Sequence, residues 1–310
     1  MADPVLHIKD GYFFEVPKFL WSKPFHSLDD VPAFLRKGAP EDATVEYFNH
    51  EMAGKILIPQ PFATLKNLYD KESGFAISRF MILELVAAAI LAFVFIRVGR
   101  KISSGEAPKG RGWNFFEAML VFVRDEIGVS AMGKHDAHRF TPLLWTLFFF
   151  ILTCNLLGLV PWLGAPTGAF GATFGLALVV FCTSIGAGSK KFGPVGFWVN
   201  QVPHMDLPWW LVWLKIPIFA IEVVGLIIKH FILGVRLLAN MVAGHLVLLG
   251  IMGLIVVAAQ YSISHWLLVS SISVVSSTLF SLLELFVAFL QAYIFTFLSA
   301  LFISAAVHHH

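Results

Sequence analysis

The chain is predicted to be an all-α integral membrane protein, and three features of its sequence carry that expectation. Hydrophobic residues make up 57% of it and charged residues only 14%, against roughly 45–50% and 25% in soluble domains. Five apolar stretches follow one another from residue 80 onward. The last two are each about twice as long as a perpendicular membrane crossing needs.

Residues 1–78 come first and differ from the rest. They mix polar and apolar residues, include Pro4, Pro17, Pro24, Pro32, Pro40, Pro59 and Pro61, and contain no long apolar run. An extramembrane segment of short helices and loops is expected there. Its opening residues, MADPVLHIKDGYFF, lack the basic-then-apolar order of a cleavable signal peptide.

Residues 79–310 form the expected membrane domain. The stretches 80–98, 140–162 and 170–188 fit a hydrocarbon core of about 30 Å. The stretches 216–259 and 264–307 do not: about 44 helical residues extend roughly 66 Å at 1.5 Å per residue. Neither contains a polar or proline-rich loop that would split it. Two long, tilted helices forming a hairpin across 260–263 are therefore expected. Between the first two spans, residues 113–124 are apolar with Glu117 and Arg124 interspersed, which reads as an amphipathic helix on the cytoplasmic membrane surface.

Basic residues set the expected topology. Arg97, Arg100, Lys101, Lys109 and Arg111 follow the first span, and Lys190 and Lys191 follow the third, whereas the connections near 160–170 and 258–263 are uncharged. The positive-inside rule then puts residues 1–78 outside and the C-terminus in the cytoplasm.

Several function classes are excluded or unsupported. A net charge of +2 without a basic cluster gives no nucleic-acid footprint. Cys154 and Cys182 lie in apolar runs at a spacing that fits no zinc or redox pattern. No phosphate-binding G-x-x-x-x-G-K-[ST] and no H-E-x-x-H occurs, so neither nucleotide hydrolysis nor metalloproteolysis is expected, and no cofactor is implied. No function attaches to His308, His309 and His310.

The chemistry sits in the last two stretches. Arg236 stands among Val235, Leu237 and Leu238, and no Asp, Glu, Lys or Arg occurs from Leu237 to Leu283. A charge at membrane depth costs about 2.5–3.5 kcal/mol even on lenient insertion scales, so it marks a functional position. Glu222, Lys229 and Arg236 recur every seven residues and share one helix face, which Asn240 extends. His245 falls on the opposite side, about 13 Å further along the axis, facing a water-filled cavity or the partner helix. On the final helix, Ser270, Ser273, Ser277, Ser281, Glu284, Ala288 and Gln291 form one stripe. Small and hydroxylated residues permit close packing and can also line a hydrated path. Glu and His exchange protons, while Arg, with a pKa above about 12, stays charged. The set suggests a proton path with a fixed cation between its two halves.

Three blocks carry a family resemblance. Gly234-Val235-Arg236-Leu237-Leu238-Ala239-Asn240-Met241-Val242-Ala243-Gly244-His245 resembles the G-x-R-L-x-x-N-x-x-x-G-[HE] signature of subunit a of F-type ATP synthases. Leu290-Gln291-Ala292-Tyr293-Ile294-Phe295 resembles that family's L-Q-A-[FY]-[IV]-F, and Asn155-Leu156-Leu157-Gly158-Leu159-Val160-Pro161 its N-L-L-G-L-[IV]-P. Residues 1–78 match much less. His230 stands where proline is frequent in the family and Ala239 where glycine is common.

The resemblance implies a stator channel beside a rotating ring of c-subunits, in a multi-pass protein of the bacterial inner membrane. Peripheral-stalk b subunits, the rest of the ATP synthase and membrane lipid would be its other partners. It implies that protons (or Na⁺) pass through two offset half-channels, that Arg236 faces the ring carboxylate, and that Asn240 and Gln291 are its polar neighbours. His245 and Glu284 would be a protonatable pair in the half-channel where ions enter. Glu222 would sit on the cytoplasmic half-channel, with Lys229 on the same stripe. Glu84 either snorkels to the outer interface or lines the vestibule where ions enter. His204 and His265 are read as interfacial. Two other readings remain: a self-contained ion transporter, and a membrane b-type cytochrome ligated through His230, His245 and His265.

Overall fold

The computed structural model describes residues 10–17, 25–37, 40, 43–103, 110–160, 163–201 and 213–308. Their order explains how the chain alternates between aqueous and apolar surroundings. The described residues up to position 78 form a small module of mixed structure. Strand β1 (Phe13–Glu15) pairs antiparallel with β2 (Lys55–Leu57), setting Phe13 opposite Leu57. Strand β3 (Ala63–Leu65) pairs antiparallel with β4 (Lys71–Gly74). Between β1 and β2 lie α1 (Ala33–Lys37) and α2 (Val45–Glu51). Phe13, Phe25, Val31, Phe48, Met52 and Leu68 form a separate apolar core. Asn49 ties the module together, because its Nδ2 donates to the Phe25 carbonyl at 2.9 Å and its Oδ1 accepts from the Phe25 amide at 3.2 Å.

The two strand pairs depart from the expectation of helices and loops alone. Strands of three or four residues offer too few alternating positions to announce themselves, and Phe13 meets a partner 44 positions away (57 − 13).

The module is anchored on α3 (Arg79–Ser103). The Arg79 amide donates to the Gly11 carbonyl at 2.9 Å and the Phe80 amide to Asp10 Oδ1 at 3.2 Å. The buried Arg79 guanidinium lies 3.8 Å from Glu15 Oε1. Gly164, in the connection between the helices that end at Gly158 and begin at Phe170, packs against Arg79 and Phe80 closely enough that a Cβ there would clash. The module and that connection therefore occupy the same end of the bundle.

Among the described residues, five helical stretches are long and apolar enough to cross a membrane. Beyond α3 they comprise α4 (Arg111–Phe122) continuing through a π-helical turn (Val123–Val129) into α5 (Ser130–Gly158), then α6 (Phe170–Phe192), α8 (Lys215–Ala258) and α9 (Ile263–Val307). A short α7 (Pro194–Val199) follows α6. Helix α5 starts ten residues before its apolar stretch (130 against 140), since a helix runs on into its polar end while hydropathy marks only the lipid-compatible part.

The segment expected as an amphipathic surface helix is α4. One face of it is turned to protein: Phe116 stacks on Phe149 of α5 at 5.2 Å, meets Phe95 of α3 at 6.3 Å, and the Leu120 carbonyl accepts from Trp145 Nε1 at 2.9 Å. The chain doubles back at Gly133, whose φ of +77° interrupts the helix and suits glycine. The main core joins Leu144, Phe148 and Ile151 of α5 to Val180 of α6, Leu237 of α8 and Phe295 of α9. The two longest helices form the expected hairpin, turning through 259–262.

Candidate functional site

Helix α8 has two chemically different sides. On its outward side Lys229 and Arg236 are exposed and Glu222 and Asn240 are half-buried. Their neighbours Phe231, Ile232, Leu246 and Val247 are also exposed, so a cation stands in a wide apolar face. Among the described residues, no hydrogen bond or ion pair engages Arg236.

On the inward side, His245 Nδ1 and Glu284 Oε1 share a hydrogen bond of 3.2 Å that joins α8 to α9. A proton on either atom satisfies it. Of the two openings left by the sequence, His245 takes the partner helix. Both side chains are shielded, His245 being 19% and Glu284 6% exposed. Gly244 makes room for the carboxylate, because any Cβ there would strike Glu284 Oε1. The glycine beside the histidine thus leaves the carboxylate its observed place, which a side chain there would oblige it to leave.

On α9, the serine–glutamate–glutamine stripe faces inward except for Ser281, which lies exposed at its edge. Glu284 Oε2, Gln291 Nε2 and Ser270 Oγ are buried and have no protein partner among the described residues. Asn155 of α5 reaches the same stripe, its Nδ2 donating to the Ala288 carbonyl at 3.1 Å while its Oδ1 accepts from Thr167 Oγ1 at 2.8 Å. Asn155 therefore holds α9 between Glu284 and Gln291. The residues alone gave Asn155, Thr167 and Gly244 no task, although Asn155 and Gly244 lie in quoted blocks. The signal available for Asn155 was a polar amide at the end of an apolar span.

Several expected positions are not brought to this pair. Gln291 makes no hydrogen bond to Arg236 or Asn240 among the described residues. His230 is turned away from the Lys229–Arg236 stripe and wedged between Phe181 at 5.1 Å and Phe302 at 4.8 Å, its Nδ1 donating to the Leu226 carbonyl at 2.9 Å. His265 bonds Ser262 at 2.6 Å in the α8–α9 turn. With His230, His245 and His265 in three different surroundings, a shared haem ligand set is not assembled. No group of three metal-binding side chains occurs among the described residues. Glu84 is half-buried on α3. His204, Pro161, His309 and His310 lie outside the described residues.

The model of the family described as "ATP synthase A chain" matches residues 81–304, which include every element of this site. The chain belongs to that family. A protein named ATP synthase subunit a from Myxococcus xanthus is 37% identical over 318 residues, spanning 100% of this chain and 93% of the relative. Its namesake from Chloroherpeton thalassium is 37% identical over 270 residues, covering 86% and 77%. That from an Anaeromyxobacter species is 35% identical over 305 residues, covering 98% and 70%. As a subunit a of an F-type ATP synthase, the chain is a non-catalytic, multi-pass membrane subunit of the ion-translocating sector, and other subunits of that enzyme are its partners. Membership in a multi-subunit machine speaks against a self-contained transporter.

Proposed function

We propose that the chain carries protons (or Na⁺) through two offset half-channels at the face of a rotating c-subunit ring, coupling the ion gradient to ATP synthesis. The observation that carries this reading is the division of α8. An exposed Arg236, unpaired among the described residues, stands on its outer face, about 13 Å along the axis from a shielded His245–Glu284 pair on its inner face. An unpartnered cation in an apolar surface is costly in lipid. A carboxylate carried past on a ring satisfies it, and the permanent charge of arginine forces that carboxylate to release its proton.

The buried, unpartnered atoms of Glu284, Gln291 and Ser270 support a hydrated inner path, since such groups need water when protein supplies no partner. In this path Glu284 and His245 take up the ion, and Asn240 and Gln291 lie near the arginine. Glu222, about 21 Å from Arg236, serves the cytoplasmic half-channel, with Lys229 on the same face. The hairpin is tilted in the membrane, the N-terminal module lies outside and the C-terminus in the cytoplasm of a bacterial inner membrane. Peripheral-stalk b subunits hold the chain against rotation.

The test is ATP-driven acidification of liposomes containing the whole assembled complex. Arg236→Ala is expected to abolish acidification while ATP hydrolysis by the soluble head persists. Unchanged pumping by an assembled Arg236→Ala complex would show the arginine to be structural.

A further inference from the structure

The extramembrane module carries two aromatic rings that its own core does not use. Phe62 and Phe75 are 72% and 60% exposed. The Phe75 amide donates to the Phe62 carbonyl at 3.1 Å, one pair beyond Ala63↔Gly74 at the end of the β3–β4 ladder. That backbone contact sets the two residues opposite one another just past the ladder, so both exposed rings belong to the same end of the hairpin. The crossing is pinned by Gly74, at φ +83°, where any Cβ would strike the Phe62 carbonyl.

The patch is also fixed relative to the first membrane helix. Gln60 Nε2 donates to the Ile77 carbonyl at 2.7 Å, and Gln60 Oε1 accepts from the Ile77 amide at 2.8 Å. Ile77 stands two positions before Arg79, where α3 begins. Four peptide steps from Phe75 to Arg79 span at most about 14 Å. The headgroup layer bordering the hydrocarbon is itself about 5–8 Å deep on each side. The two rings are therefore held within reach of that layer by a clamp two positions ahead of a membrane span. The hairpin's charges balance, Lys66 and Lys71 against Asp70 and Glu72, so the attraction rests on the rings.

We propose that Phe62 and Phe75 form an interfacial lipid anchor. They insert at the headgroup–acyl boundary beside α3 and fix the height and orientation of the N-terminal module over the membrane. This rests only on α3 crossing the membrane and is independent of the translocation reading.

The experiment places p-benzoylphenylalanine at position 62, and separately at 75, in the whole complex reconstituted into phosphatidylethanolamine–phosphatidylglycerol vesicles. Both positions are exposed and the exchange is aromatic for aromatic, so retained ATP-driven acidification serves to verify assembly. After irradiation, the mass of the subunit identifies what each probe touched. Phospholipid adducts at both positions are the expected result. A cross-link to another subunit, or only intrachain and solvent products, overturns the proposal.

Discussion

Helices α8 and α9 are nearly equal in length and both strongly apolar, yet they occupy opposite situations. Over its most apolar stretch α9 is 44% buried, whereas α8 is only 11% buried. The difference lies in what each places on its faces. Helix α9 buries Ser273, Ser277, Ala288, Ala292, Thr296 and Ser299, and small residues of this kind let neighbouring helices approach closely. Helix α8 shows branched and aromatic side chains outward, with Lys229 and Arg236 among them. It touches the bundle mainly through Leu233, Gly234, Leu237, Met241 and Gly244. Hydropathy alone does not distinguish a buried helix from an outward-facing one; here the size of the residues on each stripe does.

That contrast can be broken in stages. The largest effect after loss of Arg236 is expected from Glu284→Gln, which keeps the shape of the inner group but removes its proton exchange. Proton flux through the assembled complex should fall at least about tenfold, some 1.4 kcal/mol on the barrier. An unchanged flux would move the inner path away from α9. Gly244→Ala should come next, because the new methyl meets the Glu284 carboxylate and overpacking costs about 1–3 kcal/mol. Flux should drop severalfold with the complex intact, and a wild-type rate would mean that Glu284 has another resting place. Asn155→Ala removes the donor to the Ala288 carbonyl and leaves buried groups unsatisfied, a loss of about 1–3 kcal/mol. Its expected signature is a lower denaturation temperature of the subunit with a smaller change in flux. The smallest effect belongs to the outer face: Lys229→Gln should alter coupled pumping by less than about twofold, since an exposed charge on a helix surface contributes little. A large loss there would make the outer stripe a path in its own right.

Much of this arrangement was legible in the residues. Composition determined the class, the apolar runs placed the membrane helices, and their excess length required the α8–α9 hairpin. The helical repeat put Glu222, Lys229 and Arg236 on one face and sent His245 to another. These are local properties, fixed by a 3.6-residue turn and the cost of charge in hydrocarbon. Tertiary structure decided which distant groups meet. His245 meets Glu284 thirty-nine positions away, a pair that the family resemblance implied but no helical repeat could, and Asn155 reaches Ala288 across 133. Phe13 pairs with Leu57, and α4 folds back on α5 instead of resting on lipid alone. No periodicity encodes such contacts, because each depends on how closely two backbones approach. Here that approach is set by a missing Cβ at Gly244 and by a single buried amide at Asn155.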